Sequence, residues 1–280
     1  MAPHNSNIEA LSHFIDLEKY PIHDLDGVRM VQIINDCHQS LEQHALCALP
    51  GFLRPDTVSE LVEELNDLAP QAHHLDNHRT PYGWMDNSGF EPDHPRSALF
   101  RTTCGVLTAE LFPADSKSQQ IFQLDELTEF VRRVLDFKTL YRSECPHLSL
   151  QVNVLNKGDT FGWHYDTNDG VVSFVVQEAD EGGAFEYAPY IRDEDDENYS
   201  GVRRLFEEID EPKRPAMPPG TLSLFLGRRS VHRVAPVGTT QKPRLSLLLS
   251  YDAKPGMVFP PKTVASILNP SPEPYLGKRA

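Results

Sequence analysis

Apolar positions fall into two textures along the chain. In the first half they recur at helical spacing. In GVRMVQIINDCHQSLEQHA, Val28, Val31, Ile34, Cys37 and Leu41 would share one face and predict an amphipathic helix. RPDTVSELVEELNDLAP predicts a second helix, with Asp56 or Thr57 as its cap and Pro70 past its end. Between them, ALCALPGFL predicts a short strand and turn, and LDELTEFVRRVLDF predicts a further helix. Residues 70–105 show neither period and read as irregular.

From about residue 147 short apolar runs alternate with Gly, Asn, Asp and Pro: LSLQVNVLN, GVVSFVVQE, GAFEYAPY, TLSLFLG, SVHRVAPV and RLSLLLSYD. This is strand texture. Strands in such number, separated by turn signals, point to a sandwich or barrel, with the N-terminal helices covering one outer face. NYSGVRRLFEEID (198–210) predicts a helix inserted among the strands, and the acidic run Asp193–Glu197 before it reads as a solvated loop. No internal repeat or low-complexity linker divides the sequence. The expectation is therefore one α+β, mainly β domain over 1–280: a mainly helical part at 1–145, a strand-built core at 146–255 and a tail at 256–280.

Composition narrows the possible partners. With 41 acidic against 26 basic residues the formal charge is −15. That disfavours a nucleic-acid groove, which needs a basic stripe, and adsorption to an anionic membrane surface. The 23 prolines suit loops and edge strands better than long helices. Cys37, Cys47, Cys104 and Cys145 form no CxxC pair, so neither a zinc ribbon nor a disulfide framework is expected. MAPHNSNIEA lacks the basic and apolar regions of a leader, and no apolar run approaches the roughly 20 residues of a membrane span. A reducing, cytoplasmic setting is the expectation.

Candidate chemistry sits in the strand-rich half. In QVNVL, Val152 and Val154 share one face, while Gln151, Asn153 and Leu155 share the other. A buried Asn153 needs hydrogen-bond partners, either structural ones or a ligand. In FGWHYDTNDG, alternation puts His164 and Asp166 on one face, where an imidazole and a carboxylate can take adjacent sites on a divalent ion. A hydrogen-bonded surface His–Asp pair is the plainer alternative for an isolated HxD. His232, in SVHRVAPV, supplies a second imidazole, and two His with one carboxylate leave three positions open on iron. In RLSLLLSYD, Arg244 and Ser246 share one face while Leu245, Leu247, Leu249 and Tyr251 share the other. A buried arginine needs an anion, and its planar fork suits a carboxylate.

HxD, then a distal His, then RxS on the last long strand resembles the iron(II)/2-oxoglutarate-dependent oxygenases. The resemblance implies a double-stranded β-helix (a jelly-roll, cupin-like core), with His164, Asp166 and His232 as iron ligands. It implies Arg244 and Ser246 as the grip on the distal carboxylate of 2-oxoglutarate, and O2 as co-substrate. Gly158, six residues before His164, matches the prolyl-hydroxylase-like pattern, but Leu155 stands where that pattern often has Tyr; Asn153 is the candidate to assist Arg244 instead. DTNDGVVSFVVQEADEGGAFEYAPYIRDEDDENY is similar, more closely, to the small bacterial group that halogenates or hydroxylates free amino acids. Its halogenases have Gly or Ala in the carboxylate position of HxD, freeing a site for chloride. Asp166 therefore implies hydroxylation of a small molecule, with release of succinate and CO2. A peptide hydroxylase, a desaturase or cyclase with the same centre, and a non-catalytic cupin-like binding module are the alternatives.

An amino-acid substrate would need a cation for its carboxylate. Arg101 is the first candidate, followed by Arg79 and Arg96. Trp84, with Tyr82 in TPYGWMDNSG, could close over a pocket or simply pack a surface loop. Thr167 and Asn168 follow the HxD pair and could line the pocket, whereas Trp163 points to the opposite face and reads as core. His73, His74 and His78 read as a solvated loop rather than a second metal site.

Overall fold

The computed structural model describes residues 3–167 and 171–269. Its elements in chain order are α1 (Pro3–Phe14), α2 (Val28–His44), β1 (Leu46–Leu49), α3 (Pro55–Leu68), β2 (His73–Arg79), β3 (Phe100–Thr108), α4 (Lys117–Phe122), α5 (Asp125–Val134), β4 (Tyr141–Arg142), β5 (Leu150–Leu155), β6 (Phe161–His164), β7 (Val171–Gln177), β8 (Phe185–Ala188), α6 (Tyr199–Phe206), β9 (Leu222–Phe225), β10 (Val231–Val234), β11 (Arg244–Leu249), β12 (Tyr251–Asp252) and α7 (Pro261–Leu268). Seven strands make one antiparallel sheet in the order β1-β9-β7-β11-β5-β3-β2, and β6-β10-β8 make a second. Phe161 and Val234 of the small sheet pack against Cys104, Val106 and Leu155 of the large one. The two sheets thus face each other as a jelly-roll, as expected.

Alternation gives the large sheet two unlike faces. Leu245, Leu247 and Leu249 of β11, Val152 and Val154 of β5, Phe174 of β7 and Leu222 and Leu224 of β9 look outward. Helices α2, α3 and α5 cover them, contributing Met30, Ile34, Leu61, Leu65, Phe130 and Val131 to one continuous core. Phe52 lies at its centre, 5.7 Å from Phe130 and 6.1 Å from Phe174 between ring centroids. The face toward the small sheet carries Arg244, Ser246, Asn153, Ser173 and Ser223 instead. A buried polar face is the informative departure in a protein interior.

Several expectations need correction. Residues 70–105 are not all irregular: β2 pairs with β3 along its whole length, and with β1 they bring three strands of the large sheet from before residue 146. β2 escaped notice because Leu75 is its one apolar residue, as suits an edge strand with one side in water. β3 is buried on both faces over most of its length, so it carries no alternation. His73, His74 and His78 accordingly lie on a strand rather than a loop.

The stripe of α2 is also shifted. Val28 is 91 % and Val31 44 % exposed, while Met30 is fully buried with Ile34, Cys37 and Leu41. Neither Asp56 nor Thr57 caps α3. Its N-cap is Arg54 with Pro55 at the first helical position, where a missing N–H costs nothing, and the Thr57 hydroxyl donates to the carbonyl of His13 at 2.8 Å.

Phe174 ties the helical layer to the sheet. Phe174→Ala should destabilise the fold by about 3–5 kcal/mol, measured by denaturant unfolding, because Phe52 and Phe130 cannot follow into the cavity.

Candidate metal centre

Strands β6 and β10 run antiparallel with His164 directly opposite His232. Their ring centroids are 4.0 Å apart, and Phe161, Phe185 and Phe225 pack against the two imidazoles. The Nδ1 of His164 lies 2.9 Å from the carbonyl of Gly162, and that of His232 3.0 Å from the carbonyl of Ser230. A carbonyl accepts only, so Nδ1 carries the proton in both rings and Nε2 is left as the free donor pair.

Asp166 follows two residues after His164. Its Oδ1 is 3.9 Å from His164 Nε2 and 3.5 Å from His232 Nε2. One ligand atom from each residue lies within 4.8 Å of the others, the sole such cluster of three or more among the described residues. His73, His74 and His78 form none. Burial, the charge of His232 and the guanidinium of Arg79 push the His164 pKa down to about 3, so its ring is neutral and available at ordinary pH. Burial opposes ionisation of Asp166, but the attraction and hydrogen bond of His232, aided by His164, outweigh it and leave its pKa lowered. Two imidazoles and a carboxylate, converging on one point with open positions beside it, suit a divalent ion of the iron type.

Arg244 heads the polar face of β11, buried, and donates through Nη1 to Ser246 Oγ at 2.6 Å. Burial pulls its pKa down to about 10, which leaves it charged at neutral pH. No carboxylate among the described residues forms an ion pair with it, although the charge of Glu178 partly opposes the lowering. Asn153 stands opposite Ser246 on β5, and its half-buried position puts an amide on the same face.

The substrate candidates divide. Arg101 does not join the site: its side chain is 54 % exposed and grips Asp76 in a two-pronged ion pair. Arg96 is held by Asn87 and by the backbone of Asp86. Trp84 does not close over the metal donors either. It packs on Tyr165, whose side chain alternates away from His164 and Asp166, and Arg192 stacks on both rings at 4.6 and 4.0 Å. Trp163 lies in the same aromatic cluster, in core as expected. Thr167 is exposed beyond the ligand pair, and Asn168 lies outside the described residues.

Arg79 is the arginine that reaches inward. It lies on the face of β2 that carries Leu75, over the Phe161 ring at 5.0 Å and close enough to lower the pKa of His164. Its Nε is buried without a hydrogen-bond partner, as is Oδ1 of Asn77 on the same face. Sequence reasoning put Arg101 ahead of Arg79 because the parity of these residues is invisible until β2 is known to be a strand.

A family model for Halogenase D matches residues 98–257, more than half of the chain. The chain belongs to the Halogenase D family. No curated protein matches it. Among solved structures it is similar to AviO1 from Streptomyces viridochromogenes, at 13 % identity over 81 % of this chain and 96 % of that one, with a TM-score of 0.55. It is also similar to a 2OG-Fe(II) oxygenase-family oxidoreductase from Burkholderia pseudomallei, at 15 % identity over 80 % and 92 % with a TM-score of 0.50. The epimerase SnoN, solved with Fe3+, alpha ketoglutarate and nogalamycin RO, gives 15 % identity over 79 % and 84 % with a TM-score of 0.54. At these identities the likeness establishes the fold, which is that of the iron/2-oxoglutarate oxygenases. Family and fold together bear out the expectation of an oxygenase-type enzyme. No helix among the described residues is long and apolar enough to cross a membrane.

The depressed His164 pKa has a consequence for the metal-free protein. Below the ordinary value of 6.5 the unfolded chain takes up a proton that the folded ring refuses until about pH 3. Its stabilisation is complete above that upper value and is lost as pH falls through the window. The melting temperature of the metal-free protein should drop on acidification, and that of His164→Gln should drop less steeply over the same range.

Proposed function

We propose that the protein is an Fe(II)/2-oxoglutarate-dependent dioxygenase that hydroxylates an unactivated C–H bond of a free amino acid or close derivative. Asp166 carries this reading. Its carboxylate fills the third corner beside two imidazoles, in a family whose model is named for halogenation. His164, Asp166 and His232 would hold the iron. When bound, iron with 2-oxoglutarate and O2 supplies the oxidising chemistry, releasing succinate and CO2 and delivering one oxygen atom to the substrate.

The remaining residues orient and exclude. Arg244 grips the distal carboxylate of 2-oxoglutarate, with the Ser246 hydroxyl holding its fork in place and the Asn153 amide beside it. The three phenylalanines around the imidazoles keep water from the ligand atoms. Arg79, with no counter-ion among the described residues, is suited to the substrate's own carboxylate. It takes the role first expected of Arg101. A free amino acid explains why one interior would hold two inward-facing guanidiniums, Arg244 buried and Arg79 half-buried, one for each carboxylate. Four buried free thiols are in keeping with a reducing cytoplasmic setting.

Anaerobic Fe(II) with 2-oxoglutarate should give a weak visible charge-transfer band that Asp166→Ala abolishes. Succinate release should be stimulated by one or more members of a panel of free amino acids. Stimulation by peptides alone would select the peptide-hydroxylase reading. Arg244→Leu should weaken 2-oxoglutarate binding by about 2–5 kcal/mol, roughly thirty-fold or more, as expected when one partner of a buried charge pair is removed. Arg79→Met should raise KM for the amino acid while leaving 2-oxoglutarate binding unchanged. Asp166→Gly should end hydroxylation or open a chloride site; an Asp166→Gly protein that hydroxylates at full rate would overturn the assignment.

A further inference from the structure

The turn between β9 and β10, residues 226–230, touches the metal donors from behind. The Gly227 carbonyl accepts the Asp166 N–H at 3.2 Å, and the Ser230 carbonyl fixes the His232 ring. A side chain on Gly227 would have nowhere to go. A Cβ there would lie 1.9 Å from Asp166 Oδ2, 2.6 Å from its Cγ and 2.9 Å from its Cβ. The backbone of Gly227 does not itself demand glycine, since it is absent from the positive-φ residues. What the position requires is only the absence of a side chain.

We infer that Gly227 is a positioning residue for the metal-binding carboxylate: its missing side chain is the niche that receives Asp166 Oδ2, so that Oδ1 faces the two Nε2 atoms. This rests on the reading of Asp166 as a ligand. The niche is lined on the Asp166 side by an oxygen that is buried and has no hydrogen-bond partner among the described residues. It is therefore steric confinement, rather than a hydrogen bond, that aims the carboxylate.

With alanine at 227 the clash reaches from Oδ2 to Cβ, so rotating the carboxylate about its terminal bond cannot relieve it. The turn cannot easily retreat. Its Leu226 N–H donates to the Ala45 carbonyl at 2.9 Å, its Arg228 carbonyl accepts from Arg192 Nε at 2.8 Å, and its Ser230 hydroxyl accepts the Tyr190 N–H at 3.1 Å. Asp166 is the mobile partner and swings off the metal. Position 227 thereby sets which residue position 166 can hold: a carboxylate requires glycine, whereas a residue without a side chain at 166 imposes no such demand.

The test is a double-mutant cycle read by Mn(II) titration calorimetry and by the anaerobic Fe(II)/2-oxoglutarate band, with thermal melts as a control for folding. Gly227→Ala should weaken Mn(II) binding by about ten- to a hundred-fold, the range typical when residues supporting a metal ligand are changed, and should lose the band. Asp166→Gly alone should weaken binding comparably. Adding Gly227→Ala to Asp166→Gly should cost no more than about a further twofold, since the clash partner is gone. Wild-type metal affinity in Gly227→Ala would overturn the inference, as would additive losses in the double variant. If Gly227→Ala fails to fold, the double variant should still fold; its failure would likewise overturn the inference. A wild-type protein that binds no metal would instead overturn the reading of the centre itself.

Discussion

The antiparallel pairing of β6 with β10 is the contact on which the site depends. It sets two imidazoles side by side without help from any long-range ion pair, because strand register alone puts His164 opposite His232. Each ring is then oriented by a backbone carbonyl two residues before it in its own chain, Gly162 for one and Ser230 for the other. The same local device used twice gives both rings the same tautomer. It makes the donor set a property of the backbone, so the metal adds to a site already shaped in the apo protein.

The large sheet makes that precision possible. Its outer face is aliphatic and buried under helices, which supplies the stabilising burial; its inner face is then free to carry Arg244, Ser246 and Asn153. These two requirements are met by the period of two along each strand, with no conflict between packing and chemistry. Loops and the inserted α6 lean on the back of the small sheet through Trp84, Tyr165 and Arg192. Aromatic groups that looked like a closing flap therefore brace the ligand strand from behind.

The legible parts of the sequence were those where alternation is clean. β11 and β5 read correctly because each pairs a continuous aliphatic face with a polar one, and RxS stood on such a strand; His164 and His232 lie on the short strands β6 and β10, with Asp166 just past β6. β2 was illegible because an edge strand of mostly polar residues has no hydrophobic period, and that one omission hid which arginine turns toward the small sheet. Arg101 and Arg79 lie on paired strands with their side chains on opposite faces, which only the register reveals. The role of Gly227 was equally hidden. Nothing local distinguishes a glycine kept for its turn from one kept to admit a neighbour's carboxylate.

Charge is distributed against the overall balance. The chain carries −15, yet its interior holds two guanidiniums that form no ion pair with a carboxylate among the described residues. Burial lowers the pKa of both, a solvation cost that a bound anion would offset, as the charge of Glu178 does in part for Arg244. An acidic exterior repels polyanions while a cationic interior retains small ones that enter. A small molecule bearing a carboxylate meets both conditions, and so does 2-oxoglutarate. A neutral substrate would leave Arg79 desolvated and unpaired, which is the least economical use of a buried arginine beside a metal site.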